Sequence, residues 1–393
     1  MKFGLMVKKE TKNIGDDIQA YAVKRFLPRI DYYVDMNHMD EFIPDKEEKV
    51  AVIINGWFLQ YTLNWPPSPY IKPLPISMHF TNKDWFWDTT DRAYHLQGYG
   101  LEYLKDIEPI GCRDSHTQKL LDSKGIKTEY TGCMTLTIPK FQKIEKQDYI
   151  CAVDVSEKVI EQIKKTTDME VKIVTHTVPE DYHKLSWEKR MENVEELLKL
   201  YQGARAVISY RLHCALPCLA IGTPTILLNE EYRNDRFGDY TAYIESCKEE
   251  DFVSGKIIYD YKNVSTHSDK WKELRDNLIK KCEDFVKEAE KSNEIYESDI
   301  ISIKDYKKYV IKKSNWLKET TLESYKRFKD ADKKLEGNTL KSKEEILKVQ
   351  EQLKYYQNEL QQVVNKMEKY KQENEQIKNS KWWKIREKLK GGK

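Results

Sequence analysis

Four short stretches of this sequence place charged and polar side chains where a strand gives way to a helix. The most specific is Ser209-Tyr210-Arg211-Leu212-His213-Cys214-Ala215-Leu216-Pro217, which follows the apolar run Ala206 to Ile208 and opens a small, apolar helix. In an extended segment Arg211 and His213 share one side while Leu212 faces the core. Two cationic groups at a helix amino terminus oppose the positive end of the dipole unless an anion lies there, so the chemistry they suggest is anion binding. In Asn13-Ile14-Gly15-Asp16-Asp17, Gly15 lets the backbone approach a ligand, and of the two acids one can cap the helix while the other faces the cleft. Gly111-Cys112-Arg113-Asp114-Ser115-His116-Thr117 offers Arg113, whose planar fork suits phosphate or carboxylate, with Asp114 as its structural alternative partner. Tyr232-Arg233-Asn234-Asp235-Arg236 adds a basic pair, either converging on a multiply charged ligand or lying in a solvated loop.

These stretches need a scaffold that presents strand ends. Short β-rich runs alternate with amphipathic stretches: strands are expected at Lys2 to Val7, Tyr32 to Asp35, Val50 to Ile54, Leu74 to His79, Ile107 to Cys112 and Glu129 to Thr131, with helices at Asp16 to Phe26 and Ser115 to Lys124. A second series has strands at Tyr149 to Val153, Val171 to Thr175, Ala206 to Ser209 and Thr225 to Leu228, and helices at Glu157 to Thr166, Trp187 to Tyr201, His213 to Ala220 and Asp269 to Ala289. Such alternation implies parallel sheets with helical crossovers. The expected fold is therefore α/β, with two Rossmann-like domains over 1–147 and 148–290 and a ligand cleft beyond the carboxyl ends of the strands. Between Trp57 and Trp87 lies a stretch holding four of the nine tryptophans and five of the twelve prolines. It reads either as an aromatic platform for sugar rings or as a rigid loop packed on its own sheet.

The motifs NxGDD at Asn13 to Asp17, IGCRDSHTQKLLDSKGI at Ile110 to Ile126, TGCMTLT at Thr131 to Thr137 and SYRLHCALPCLAIGTP at Ser209 to Pro224 together resemble the polysaccharide pyruvyl transferase family. The resemblance implies a glycosyltransferase-B-like fold and transfer of a pyruvyl group from phosphoenolpyruvate to a sugar diol, forming a ketal, with no metal and no further cofactor. It implies His213 and Asp16 as catalytic groups and Arg211, Leu212, Ser209, Arg113 and Arg233 on the donor, the last where many members carry lysine. Asn13, Asp17, Trp57 and His79 are the acceptor-side candidates. The competing readings are a two-domain glycosyltransferase using a nucleotide-sugar and a non-catalytic scaffold that oligomerises through its carboxy-terminal part.

That part differs in composition. All twelve prolines lie at or before Pro224, and between Gly255 and Gly391 the only glycine is Gly337, so the last third should be almost wholly helical. Residues 291–345 read as a helical connector. Over 346–380 the residues Ile346, Val349, Leu353, Tyr356, Leu360, Val363, Met367, Tyr370, Asn374 and Ile377 follow a 3,4 spacing, the seam of a coiled coil and hence of a parallel homodimer. Residues 381–393 carry six basic groups, one acid and two tryptophans, which suits an anionic membrane surface.

Over the whole chain 67 basic residues nearly balance 65 acidic ones, which argues against a nucleic-acid partner. No apolar run is long enough to span a bilayer, and an odd, scattered set of seven cysteines does not form a disulfide framework. The expected location is the cytoplasm, with attachment to the inner face of the cell membrane through the basic tail.

Overall fold

The computed structural model of the chain describes residues 1–45, 48–58, 65–81, 96–229, 234–262, 269–291, 305–306 and 308–319, with short stretches between 326 and 375. Strands β1 (Lys2–Val7), β2 (Tyr32–Asp35), β3 (Val50–Phe58), β4 (Ile71–Phe80), β5 (Ile110–Cys112) and β6 (Thr128–Tyr130) form one parallel sheet in the order β2-β1-β3-β4-β5-β6. Strands β7 (Tyr149–Val153), β8 (Glu170–Val174), β9 (Ala206–Ser209), β10 (Thr225–Leu228) and β11 (Glu245–Cys247) form a second in the order β11-β10-β9-β7-β8. The helices are α1 (Ile14–Lys24), α2 (Gly98–Asp106), α3 (Ser115–Asp122), α4 (Glu157–Thr166), α5 (Trp187–Gly203), α6 (Leu212–Ile221), α7 (Asn234–Phe237), α8 (Glu249–Val253) and α9 (Trp271–Lys291).

Two parallel sheets with interleaved helices fit Rossmann-like domains. In each sheet the first strand lies between the second and the third, so strand order reverses at β1/β3 and again at β7/β9. Such switch points open crevices at the strands' carboxyl ends. The two layers share one apolar core: Phe3 and Leu5 of β1, Ile18 and Val23 of α1, Cys151 and Val153 of β7, Leu198 of α5 and Cys214 of α6 belong to a single buried cluster. Helix α9 follows the second sheet in sequence but packs back on the first, where Leu278, Cys282 and Phe285 join that same cluster and Lys72 reaches Glu288 at 2.9 Å.

The aromatic stretch from Trp57 to Trp87 does not stand apart from the sheet. Trp57 and Phe58 complete β3, and the whole of β4 follows. Pro73 and Pro75 are tolerated inside β4 because residues two apart lose their N–H on the same edge, and β5 joins β4 only at Met78. Trp65 is a core residue rather than part of a sugar platform. It is fully buried among Phe58, Phe80 and Tyr103, with ring centroids 5.2–6.2 Å away, and its indole N–H donates to the Gly100 carbonyl at 3.3 Å. Trp85 and Trp87 lie outside the described residues. Strand β11, with the sequence Glu-Ser-Cys, has no β-branched residue to announce it; its pairing with β10 creates it.

The described residues between 305 and 375 are helical. Asp40, only 2% exposed, gathers them onto the amino-terminal domain: Lys366 lies 3.0 Å and Lys313 3.6 Å from its carboxylate, and the Tyr370 hydroxyl donates to it at 2.9 Å. Tyr309 donates to the Pro66 carbonyl at 3.1 Å, beside the buried Trp65. Tyr370, a seam position by its spacing, is thus 1% exposed within its own chain. The remaining seam positions, and the tail 381–393, lie outside the described residues. No described helix is long and apolar enough to cross a membrane.

Candidate active site

The two switch points face a common cavity of about 270 Å³. Its lining comes from the segment after β1 (Asn13, Asp16), the end of β3 (Trp57), the residue after β7 (Asp154), the residue after β9 with the start of α6 (Tyr210 to His213), and Arg236 with Phe237 in α7. His176, just past β8, completes it. Thus Asn13, Asp16, Trp57, Arg211, Leu212 and His213 meet in space as their types and spacing suggested.

Local chemistry fixes each of them. The Asn13 side chain caps α1 by accepting the Gly15 N–H at 2.9 Å. Gly15 is required by a close approach: a Cβ there would stand 3.2 Å from the His213 Cβ, so its absence lets the two helix amino termini, and with them Asp16 and His213, come together. Asp16 accepts from Thr11 Oγ1 at 2.6 Å and pairs with Lys8 at 3.2 Å, its side chain still partly exposed. Helix α6 begins at Leu212, one residue earlier than the spacing suggested, so Arg211 is its cap rather than part of an extended Arg-x-His segment. The Arg211 N–H donates to Ser209 Oγ at 2.9 Å, and Ser209 Oγ donates to the Val153 carbonyl at 3.2 Å. Ser209 is fully buried and acts by holding the backbone of Arg211. A register shift in β3 between Ile54 and Gly56 precedes Trp57, and Arg236 stacks over the Trp57 ring at 4.2 Å.

Asp17 and His79 lie elsewhere. Asp17, fully buried, receives two hydrogen bonds from Arg190, Nε at 2.8 Å and Nη2 at 2.6 Å, and one from the Tyr182 hydroxyl at 2.9 Å. Arg190 stands over the Trp187 ring at 4.1 Å and donates to the carbonyls of Lys8 and Lys9. This clamp ties the β1–α1 connection to α5 of the second series. Adjacent helical residues diverge by about 100°, so when Asp16 lines the cavity Asp17 turns away from it. His79 is also fully buried: its Nδ1 sits 2.5 Å from Asp114, which in turn caps α3 by accepting the Thr117 N–H at 2.8 Å. Burial, with the positive charge of Arg113, lowers the His79 pKa to about 3, while the His79 and Arg113 contacts outweigh burial and hold Asp114 at about 2.

Arg113 is fully buried and is not among the residues that line the cavity; its Nε lies 3.4 Å from Asp114 and none of its guanidinium nitrogens is hydrogen-bonded to a described residue. Burial first, then Arg113 and Arg236, hold the His213 pKa well below the usual imidazole range. Arg233 lies outside the described residues; Arg236, the other member of that basic pair, lines the cavity. Asp154, His176, Tyr210 and Phe237 were not singled out by sequence. Their signal was positional: Asp154 directly follows the apolar strand Tyr-Ile-Cys-Ala-Val at a switch point. The seven cysteines are all buried and none forms a disulfide.

A family model described as polysaccharide pyruvyl transferase matches residues 13–232, more than half of the chain and every element that lines the cavity except α7. No curated protein and no solved structure matches.

Proposed function

The chain belongs to the polysaccharide pyruvyl transferase family and is thereby a transferase, and from that premise we propose that it moves the pyruvyl group of phosphoenolpyruvate onto two hydroxyls of a sugar, making a ketal on a cell-surface polysaccharide or its lipid-linked precursor. The observation that carries the reading is the convergence of Arg211, Arg236 and His213 on one cavity that Asp16 also lines, with the charge of the fully buried Arg113 acting on His213 from outside the lining. A ligand bearing both phosphate and carboxylate charge would complement these guanidinium groups.

In this reading Arg211 and Arg236 bind the donor's oxyanions beside Leu212, and the buried Arg113 contributes its positive charge from behind the lining. Burial and, after it, the nearby cations depress the His213 pKa; the donor's negative charge offsets the cations' part and favours uptake of a proton by His213 as the donor binds. His213 then protonates the methylene carbon, leaving positive charge on the adjacent enol carbon. The first sugar hydroxyl attacks that carbon and gives its proton to Asp16. The bond from this carbon to the phosphate oxygen breaks, and phosphate leaves with the Asp16 proton. The second hydroxyl closes the ketal and returns a proton to His213. Of the two hydroxyl protons, one is finally on the new methyl group and one on phosphate. The indole of Trp57 supplies an apolar face beside the acceptor.

The test is release of phosphate from phosphoenolpyruvate, dependent on a sugar with two neighbouring free hydroxyls, alongside thermal-shift titrations with phosphoenolpyruvate and with nucleoside diphosphates. Stabilisation by the first and not the second is expected; the reverse would identify a nucleotide-sugar enzyme. Because the acid form of His213 is the active one, the rate should fall as pH rises. The falling limb should lie at lower pH in kcat/KM, which reports the free enzyme, than in kcat, which reports the complex with the donor charge in place.

A further inference from the structure

Asp154 is a carboxylate in the wall of the cavity that Arg211, Arg236 and His213 also line. Left alone it would repel any phosphate or carboxylate entering, so its presence needs a reason. Its contacts supply one. The Arg211 Nε donates to Asp154 at 2.7 Å, the His176 N–H at 3.1 Å and Thr175 Oγ1 at 2.7 Å. Its backbone is in the left-handed region, with φ +50°, a conformation that few residues other than glycine, asparagine and aspartate adopt readily. Strained backbone at the exit of a central strand persists only where surrounding contacts over-determine it. Burial disfavours its charge, but hydrogen bonds from Thr175 and Arg211 hold its carboxyl below the usual range, so it is ionised when Arg211 is engaged.

The atom used on Arg211 matters. A guanidinium has five N–H donors in a planar fork. An acceptor on Nε, at the stem side of the group, restrains the plane while the Nη donors remain for a ligand. The Arg211 side chain is 40% exposed, and without that contact a long, mobile side chain would have to be ordered at the moment of binding, at a cost in affinity. Asp154 is therefore placed to do for Arg211 what Ser209 does for its backbone.

We propose that Asp154 is a positioning residue that aligns the Arg211 guanidinium for the oxyanion of the donor, through Nε, with Thr175 and the His176 N–H holding Asp154 itself. The proposal rests on the donor reading given above, and it assigns a role to a residue outside the family's signature motifs. Binding of phosphoenolpyruvate to the full chain, measured by isothermal titration without acceptor, tests it independently of turnover. Asp154→Gly removes the carboxylate while keeping a residue at ease with positive φ, and should weaken binding about tenfold or more with an unchanged melting temperature. Asp154→Asn keeps one acceptor oxygen in the same backbone conformation and should recover most of that loss. In the steady state Asp154→Gly should raise KM for phosphoenolpyruvate more than it lowers kcat. Equal binding by the wild-type chain and Asp154→Gly overturns the proposal and leaves the donor reading intact, as does tighter binding by the variant, which would make Asp154 a competitor for Arg211. Equal losses in Asp154→Gly and Asp154→Asn, or a loss that follows a fallen melting temperature, also overturn it. No binding by the wild-type chain overturns the donor reading and the proposal with it.

Discussion

Phosphate release from phosphoenolpyruvate is expected to fall about 100- to 10,000-fold in His213→Ala, the range over which a positioned proton donor acts. The argument starts from location: His213 lies at the first turn of α6, lines the cavity, and is brought against the Asp16-bearing helix by Gly15. Its Nε2 is buried and hydrogen-bonded to no described residue. A buried polar atom without a partner is uncommon, and in a transferase cavity the natural partner is the substrate. The loss should fall on kcat, because a proton transferred only in the transition state contributes little to ground-state binding. Arg211→Ala should differ in kind, raising KM for phosphoenolpyruvate strongly. Single-substitution kinetics under saturating sugar separate the two, and an unchanged rate in His213→Ala would remove it from the mechanism. Gly15→Ala provides a geometric check. The added methyl meets His213, so the two helix ends must part by a few tenths of an ångström and the rate should fall without loss of donor affinity.

The second large effect concerns stability. Asp17→Ala is expected to destabilise the folded chain by about 3–5 kcal/mol, the usual cost of removing one partner from a buried ion pair. Arg190 is fully buried and would keep its charge with no carboxylate beside it. Chemical denaturation of the full chain measures the change as a lower midpoint. Pairing Asp17→Leu with Arg190→Met should restore most of the loss, since replacing both charges by apolar groups avoids their desolvation. If Asp17→Ala instead lowered phosphate release with the midpoint unchanged, Asp17 would belong to the cavity chemistry after all.

These two aspartates show how far residue spacing carried. The NxGDD stretch announced a helix amino terminus with one acid as its cap and the other toward the cleft; Asn13 is the cap instead, Asp16 lines the cavity and Asp17 is taken by Arg190. Which acid faces the cavity depends on Arg190, 173 positions away in sequence from Asp17. The same limit applies to His79, whose strand was expected but whose burial against Asp114 was not. For Arg113 the sequence offered an anionic ligand or Asp114 as partner; the structure places it beside Asp114, at 3.4 Å and fully buried, and that burial was not legible from a strand-end position. Asp154 was missed for another reason. A single acid after an apolar strand is an ordinary loop residue until strand order shows that this strand sits at a switch point.

The carboxy-terminal third makes the same point over a longer range. Glycine and proline depletion announced helix, since helix propensity is a property of each residue and its near neighbours, and the described residues there are helical. The 3,4 spacing announced an apolar stripe, but a stripe does not name its partner. Tyr370 finds Asp40 and Tyr309 of its own chain.

By itself, then, the sequence determined what is local: most of the strands and helices, the helix starts after Asn13 and Asp114, the motif that places Arg211 and His213 at one helix end, and the family to which they belong. Only the tertiary structure decided what is pairwise and distant: that Asp16 faces the cavity and Asp17 the Arg190 clamp, that Asp154 meets Arg211, that Trp65 is core, and that Tyr370 is buried in its own chain. The physical reason is that backbone conformation responds to side chains a few positions apart, whereas burial and ion pairing depend on which surfaces the packed layers bring together.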